Sequence, residues 1–153
     1  MRYTLLFSIV VLALAACKKD KFTTNPVLSY KSVKPNTISG NLPITGQVLP
    51  LITLHVTDAE GDLGFKDGSD TSYIYVKNLL ANTIDSFRFP DLSSAREKNF
   101  ECDIELTPNT LFQPSTRPTP KTDTLYYEIY VKDIAKNKSN VIKTGDPIFF
   151  VFK

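Results

Sequence analysis

Three carboxylates recur at every second position in Asp58-Ala59-Glu60-Gly61-Asp62-Leu63-Gly64, and Asp67 and Asp70 follow closely. Carboxylates crowded into one short loop repel one another unless a hard cation or a set of hydrogen-bond donors neutralises them, and calcium gathers about six to eight such oxygens. Gly61 and Gly64 can take the positive φ that lets a loop fold over an ion or over its own side chains. The spacing is not that of an EF-hand, because Leu63 stands where that loop needs Gly and Ser69 where it needs Glu. Two readings are open: a calcium site, or a tight acidic connection whose Asp side chains accept hydrogen bonds from loop amides.

Other reactive chemistry is thinly supplied. A single His rules out motifs that need two, such as H-E-x-x-H, and no G-x-S-x-G is present. Gly40 and Gly46 are one residue too far apart for a phosphate-binding loop, and Gln47 follows them. His55 sits in mid-strand among polar residues, with no nucleophile placed beside it by any motif. The acidic residues gather in turns and on an outer strand face. The expectation is a protein without catalytic residues.

The chain opens with Arg2 and an uncharged run from Leu5 to Ala16, 12 residues long, which suits a signal-peptide core and falls short of the ~20 residues that span a bilayer. Leu14-Ala15-Ala16-Cys17 resembles the lipobox of bacterial lipoproteins. The resemblance implies that residues 1–16 are removed and that Cys17 is acylated, anchoring the protein to outer-membrane lipid. In such lipoproteins an Asp after the Cys tends to retain the protein at the inner membrane. Lys18 in that place implies an outer-membrane lipoprotein, and Lys18-Lys19-Asp20-Lys21 is similar to the export stretch of Bacteroidetes-type surface lipoproteins. The same residues also read as a charged tether, so the cell surface and the periplasmic face both stay open. With Cys17 lipidated, Cys102 has no partner for an intrachain disulfide, and the fold must rest on its core. Basic and acidic groups number 18 and 16, a balance that gives no reason to expect nucleic acid as a partner.

These residues need a scaffold, and the pattern that supplies it is a series of strands. Ile52, Leu54 and Val56 alternate with Thr53, His55 and Thr57, and Phe100, Cys102, Ile104 and Leu106 alternate with Glu101, Asp103 and Glu105. Further strands are predicted at 28–33, 72–77, 83–89, 124–132 and 148–152, separated by Gly, Pro, Asn and Asp clusters. At most one helical turn is expected, at Leu92 to Asn99. Pro108 to Lys121, with four prolines, is expected to be a long crossover loop. The fold class is all-β: a single antiparallel β-sandwich of about seven strands over residues 27–153, behind an anchor and flexible tether at 17–26.

Tyr127-Glu128-Ile129-Tyr130-Val131-Lys132-Asp133-Ile134-Ala135-Lys136-Asn137-Lys138-Ser139 is similar to the penultimate strand and turn of bacterial immunoglobulin-like repeats, with Lys136 where those repeats usually carry Gly. The strand order also fits an immunoglobulin-like or fibronectin-III-like sandwich. That topology would bring Asp133 and Asn137 to the same end as Asp58, Glu60 and Asp62, completing a candidate calcium site. It would also place Tyr73, Tyr75, Tyr126, Tyr130 and Phe149 together on the outer face of one sheet. Such a patch suits a glycan or a protein partner, for example an outer-membrane protein; alternatively a loop covers it, or its tyrosines pair across strands and stabilise the sheet. The sequence therefore predicts a membrane-anchored binding module, or else a structural accessory subunit of an outer-membrane complex. Growth on labelled palmitate should label the wild-type chain and not Cys17→Ser; label retained by the variant would remove the anchor.

Overall fold

A computed structural model describes residues 20–43, 45–65, 70–92, 97–108 and 113–153. Among the described residues ten strands follow in chain order: β1 (Val27–Lys34), β2 (Thr37–Ser39), β3 (Leu51–Asp58), β4 (Tyr73–Asn78), β5 (Thr83–Arg88), β6 (Phe100–Leu106), β7 (Lys121–Leu125), β8 (Tyr127–Lys132), β9 (Ile142–Lys143) and β10 (Ile148–Phe152). No described residue is helical. Cys17 and residues 93–96 of the expected helical turn lie outside the described residues.

One layer has the order β1-β3-β6, antiparallel throughout. The period-two pattern of β3 turns Ile52, Leu54 and Val56 fully into the core and leaves Thr53 and His55 half-buried on the other face. Ile104 and Leu106 of β6 join the same core.

The opposite layer is organised by β7 and β8, a single line of chain interrupted only at Tyr126. Leu125, Tyr127, Ile129 and Val131 are all fully buried, so the inward phase runs straight through the interruption. On the β8 side the order is β5-β4-β8-β9; on the β7 side it is β2-β10-β7, with β2 parallel to β10. Thr144 joins the two halves. Its Oγ1 accepts from the Tyr127 N–H (3.2 Å), and its own N–H donates to the Tyr127 carbonyl (2.9 Å). Side chains from both layers meet in one hydrophobic core, which makes the molecule an all-β sandwich.

The strand count exceeds the expected seven for local reasons. Pro35 has no N–H to give to a ladder, so β1 stops at Lys34 and the chain crosses to pair with β10 as β2. The stretches 121–132 and 142–152 are each split in two at the level where Thr144 is hydrogen-bonded to Tyr127. The segment expected to be a free tether is docked from Lys21 onward: the Lys21 carbonyl accepts from Thr57 Oγ1 (3.1 Å), the Thr23 carbonyl accepts from the Ala59 N–H (3.2 Å), and the Lys21 ammonium pairs with Glu101 (2.5 Å).

The described part of the proline-rich crossover is fastened to β7 by Asp123, whose side chain is fully buried. Asp123 Oδ1 accepts from Ser115 Oγ (2.6 Å) and Arg117 Nη2 (2.7 Å), Oδ2 accepts from the Ser115 N–H (2.8 Å), and the Lys121 ammonium lies 3.5 Å away. Burial alone would raise the Asp123 pKa, but the donors of Ser115 and Arg117 and the charge of Lys121 outweigh it and hold the group at about 2. An unfolded Asp titrates near ~3.9, so this network stabilises the fold above about pH 4 and loses its contribution as the pH falls from about 4 to 2. Urea melts should show Asp123→Asn less stable by about 1–3 kcal/mol at pH 7, with a flatter acid limb below pH 4; an unchanged acid limb would contradict this role.

Candidate binding face and acidic loop cluster

The outward residues of β4 and β8 face each other in register: Tyr73 opposite Lys132, Tyr75 opposite Tyr130, Lys77 opposite Glu128. On the far side of β4, β5 places Arg88, Ser86 and Ile84 opposite the same three residues, and Lys143 of β9 lies opposite Glu128. The Tyr75 and Tyr130 rings stack nearly parallel, with centroids 4.7 Å apart and 9° between planes, and Tyr73 leans on Tyr75 at 6.3 Å. Lysine ammoniums lie over these rings: Lys138 4.2 Å above Tyr130, Lys132 5.6 Å from Tyr75, and Lys143 4.5 Å above Tyr126. The two stacked tyrosines therefore spend their flat faces on each other and on ammonium groups. What this face offers a partner is ring edges, phenolic hydroxyls and cations.

The five-residue aromatic patch expected from the sequence divides. Tyr73, Tyr75 and Tyr130 come together. Tyr126 lies between β7 and β8 under Lys143, and Phe149 belongs to the β7-β10-β2 half of the layer, between Thr124 and Thr37. Sequence reading missed the lysines, because strand register decides which ring each one meets.

Charge distinguishes the two outer faces. On β1-β3-β6 the outer face carries three carboxylates, of which Asp103 pairs with Lys31 (2.6 Å) and Glu101 with Lys21, and His55 Nδ1 lies 2.9 Å from Asp103. His55 thus sits between the carboxylates of Asp103 and Glu101. On the tyrosine face, Lys77, Lys132, Lys138 and Lys143 form no ion pair with any described carboxylate. Cys102, half-buried on β6, has its thiol pushed up to about 11 by burial, which keeps it protonated and unreactive at neutral pH.

The second feature closes one end of the sandwich, where Asp58 ends β3 and Asp133 follows β8. Gly61 (φ 66°) and Gly64 (φ 109°) turn the loop between β3 and β4 back on itself, and a Cβ at Gly61 would fall 2.0 Å from the Glu97 carbonyl oxygen. The loop is stitched to the turn after β8: the Ile134 N–H donates to the Asp62 carbonyl (3.3 Å), and the Ala135 N–H donates to Asp62 Oδ2 (3.1 Å). Lys136 takes φ 73° in that turn, a left-handed conformation that favours Gly. Asp58, Asp62 and Asp133 each bring a carboxylate oxygen within 4.8 Å of the others.

Of the five residues read from the sequence as ligands, Asp58, Asp62 and Asp133 form this group, and the other two are placed around it. Glu60 is exposed, outside the group. Asn137 restrains Asp133, donating to its two oxygens from the backbone N–H (2.7 Å) and from Nδ2 (2.9 Å). Asp58 Oδ2 accepts from the Asp62 N–H (3.0 Å). Burial pushes the Asp58 carboxyl up to about 6, helped by the charges of Asp62 and Asp133 and opposed by loop N–H donors. Asp133 is also raised, first by burial and then by Asp62 and Glu60.

No protein-family model, no curated protein and no solved structure matches this chain.

In the presence of EDTA at pH 8, Asp58→Asn removes one of three confined charges and puts an amide donor within reach of Asp62. Chemical denaturation should find it more stable than wild type by about 1 kcal/mol; a loss of stability would show that the carboxylates do not oppose one another.

Proposed function

We propose that this protein is a lipid-anchored, immunoglobulin-like binding module without catalytic function, which holds an anionic glycan on the outer face of β5-β4-β8-β9. The observation that carries the reading is the pair of lysines over stacked tyrosines on a face with four lysines and Arg88 against the single carboxylate of Glu128. Ammonium groups held by ring contacts lose less freedom on binding, and phenolic hydroxyls beside them can donate to carboxylate or sulfate oxygens. A neutral sugar would instead need open aromatic faces, which Tyr75 and Tyr130 spend on each other. The reading as an outer-membrane lipoprotein, at the surface or on the periplasmic side, rests on Cys17 and Lys18 and would place this face where polysaccharide is met.

In isothermal titration at low salt, the protein should bind polygalacturonate and not a neutral glucan. Lys132→Ala combined with Lys138→Ala should weaken binding at least about tenfold, which is a loss of about 1.4 kcal/mol, and replacing Tyr73, Tyr75 and Tyr130 with Ser should abolish it. Equal affinity for neutral and acidic polymers, or binding untouched by either set, would overturn the assignment.

One observation favours a second reading, an accessory subunit of an outer-membrane complex. Ile84 is 61% exposed on β5, directly opposite Lys77, and an apolar residue at the rim of a flat cationic face suits a protein surface. Cross-linking in intact cells would then recover one stoichiometric partner, whereas a glycan-binding module would yield none.

A further inference from the structure

We propose that Asp58, Asp62 and Asp133 together bind one divalent cation of the calcium type, which clamps the β3–β4 loop to the turn after β8. Proximity of acids would not carry this alone. The further observation is that Asp58 is fully buried, yet its Oδ1 has no hydrogen-bond partner, and Asp62 Oδ1 is likewise buried and unpartnered. A buried carboxylate oxygen left without a donor is costly, and here two such oxygens belong to one group of three acids. A cation supplies what both lack.

The donors already in place leave room for it. Asp62 Oδ2 and Asp58 Oδ2 each accept one backbone N–H, and both oxygens of Asp133 are held by Asn137. Every carboxylate oxygen has a second lone pair, so these hydrogen bonds orient the group and still allow ligation. No Lys or Arg among the described residues forms an ion pair with any of the three acids.

The oxygens lie within 4.8 Å of one another, a spread compatible with a calcium coordination sphere about 4.6–5.2 Å across. Magnesium gives up its waters reluctantly and is seldom held by protein carboxylates alone, which favours calcium here. Asp62 is the half-exposed member, so water can complete the coordination from its side. Lys132 immediately precedes Asp133, and Lys138 pairs with Lys132 across the turn. An ion at this end therefore fixes the turn that carries two cations of the tyrosine face. The site nevertheless stands independently of what that face binds.

The test is calorimetric titration of calcium chloride into the purified, EDTA-treated protein at pH 7.5 and 150 mM NaCl, paired with melting curves. The expected result is saturable binding of one ion per chain and a melting temperature higher by about 5 °C at millimolar calcium, as ligation of the folded state alone requires. Asp62→Asn should fold, lose the binding heat and lose the calcium shift; Asp58→Asn serves as a second variant should the first not fold. Absence of heat and of any melting shift with wild type would overturn the proposal, leaving a proton to neutralise the acids. Binding that survives in both variants would overturn the assignment to this cluster.

Discussion

Strict alternation along residues 121–132 governs most of what this molecule presents. Leu125, Tyr127, Ile129 and Val131 reach into the core with no exposure at all, and burying each such side chain is worth about 1.5–3 kcal/mol. A one-residue slip would turn all four to solvent, so the register is tightly specified. Once it is fixed, Tyr126, Glu128, Tyr130 and Lys132 must point outward and Asp133 must emerge at the end of the sandwich. The tyrosine face and the acidic cluster are thus two outcomes of one packing constraint.

The same stretch changes its pairing partners along its length. The stretch pairs with β4 and β9 at one end and with β10 at the other, and Thr144 bridges the change of partner through Tyr127. This change of partner puts Phe149 in a different half of the layer from the Tyr73–Tyr75–Tyr130 group, although the chain's alternation places them on the same side. Beyond β8, the turn leans on Asp133 through Asn137 and on Asp62 through Ala135. The loop after β3 and the turn after β8 are consequently one structural unit, although they lie far apart in sequence.

Much of this was legible in the sequence, because period-two burial leaves a local signature. The inward phase of β3, β4, β6 and β8 reads directly from Ile52, Leu54 and Val56, from Ile74 and Val76, and from their counterparts. The approach of Asp58 and Asp62 to Asp133 was readable as well, given the strand order. The illegible parts depend on register and on tertiary competition. Nothing local shows that Tyr75 stacks on Tyr130 or that Lys138 covers that ring, since both follow from cross-strand pairing. Nothing local separates Asn137 as a restraint from Asn137 as a ligand, because its amide chemistry permits either role. The split after Lys34 follows from Pro35, yet the parallel pairing of β2 with β10 is decided by the rest of the sandwich.

The central claim is that one face of the sandwich, and not the other, meets an anionic partner. Amide chemical shifts followed during titration with polygalacturonate test it most directly. Progressive shifts are expected at Tyr73, Tyr75, Tyr130, Lys132, Lys138 and Lys143, with His55, Glu101 and Asp103 unmoved. Shifts centred on His55 and its ion-paired neighbours, or none anywhere on the molecule, would contradict it.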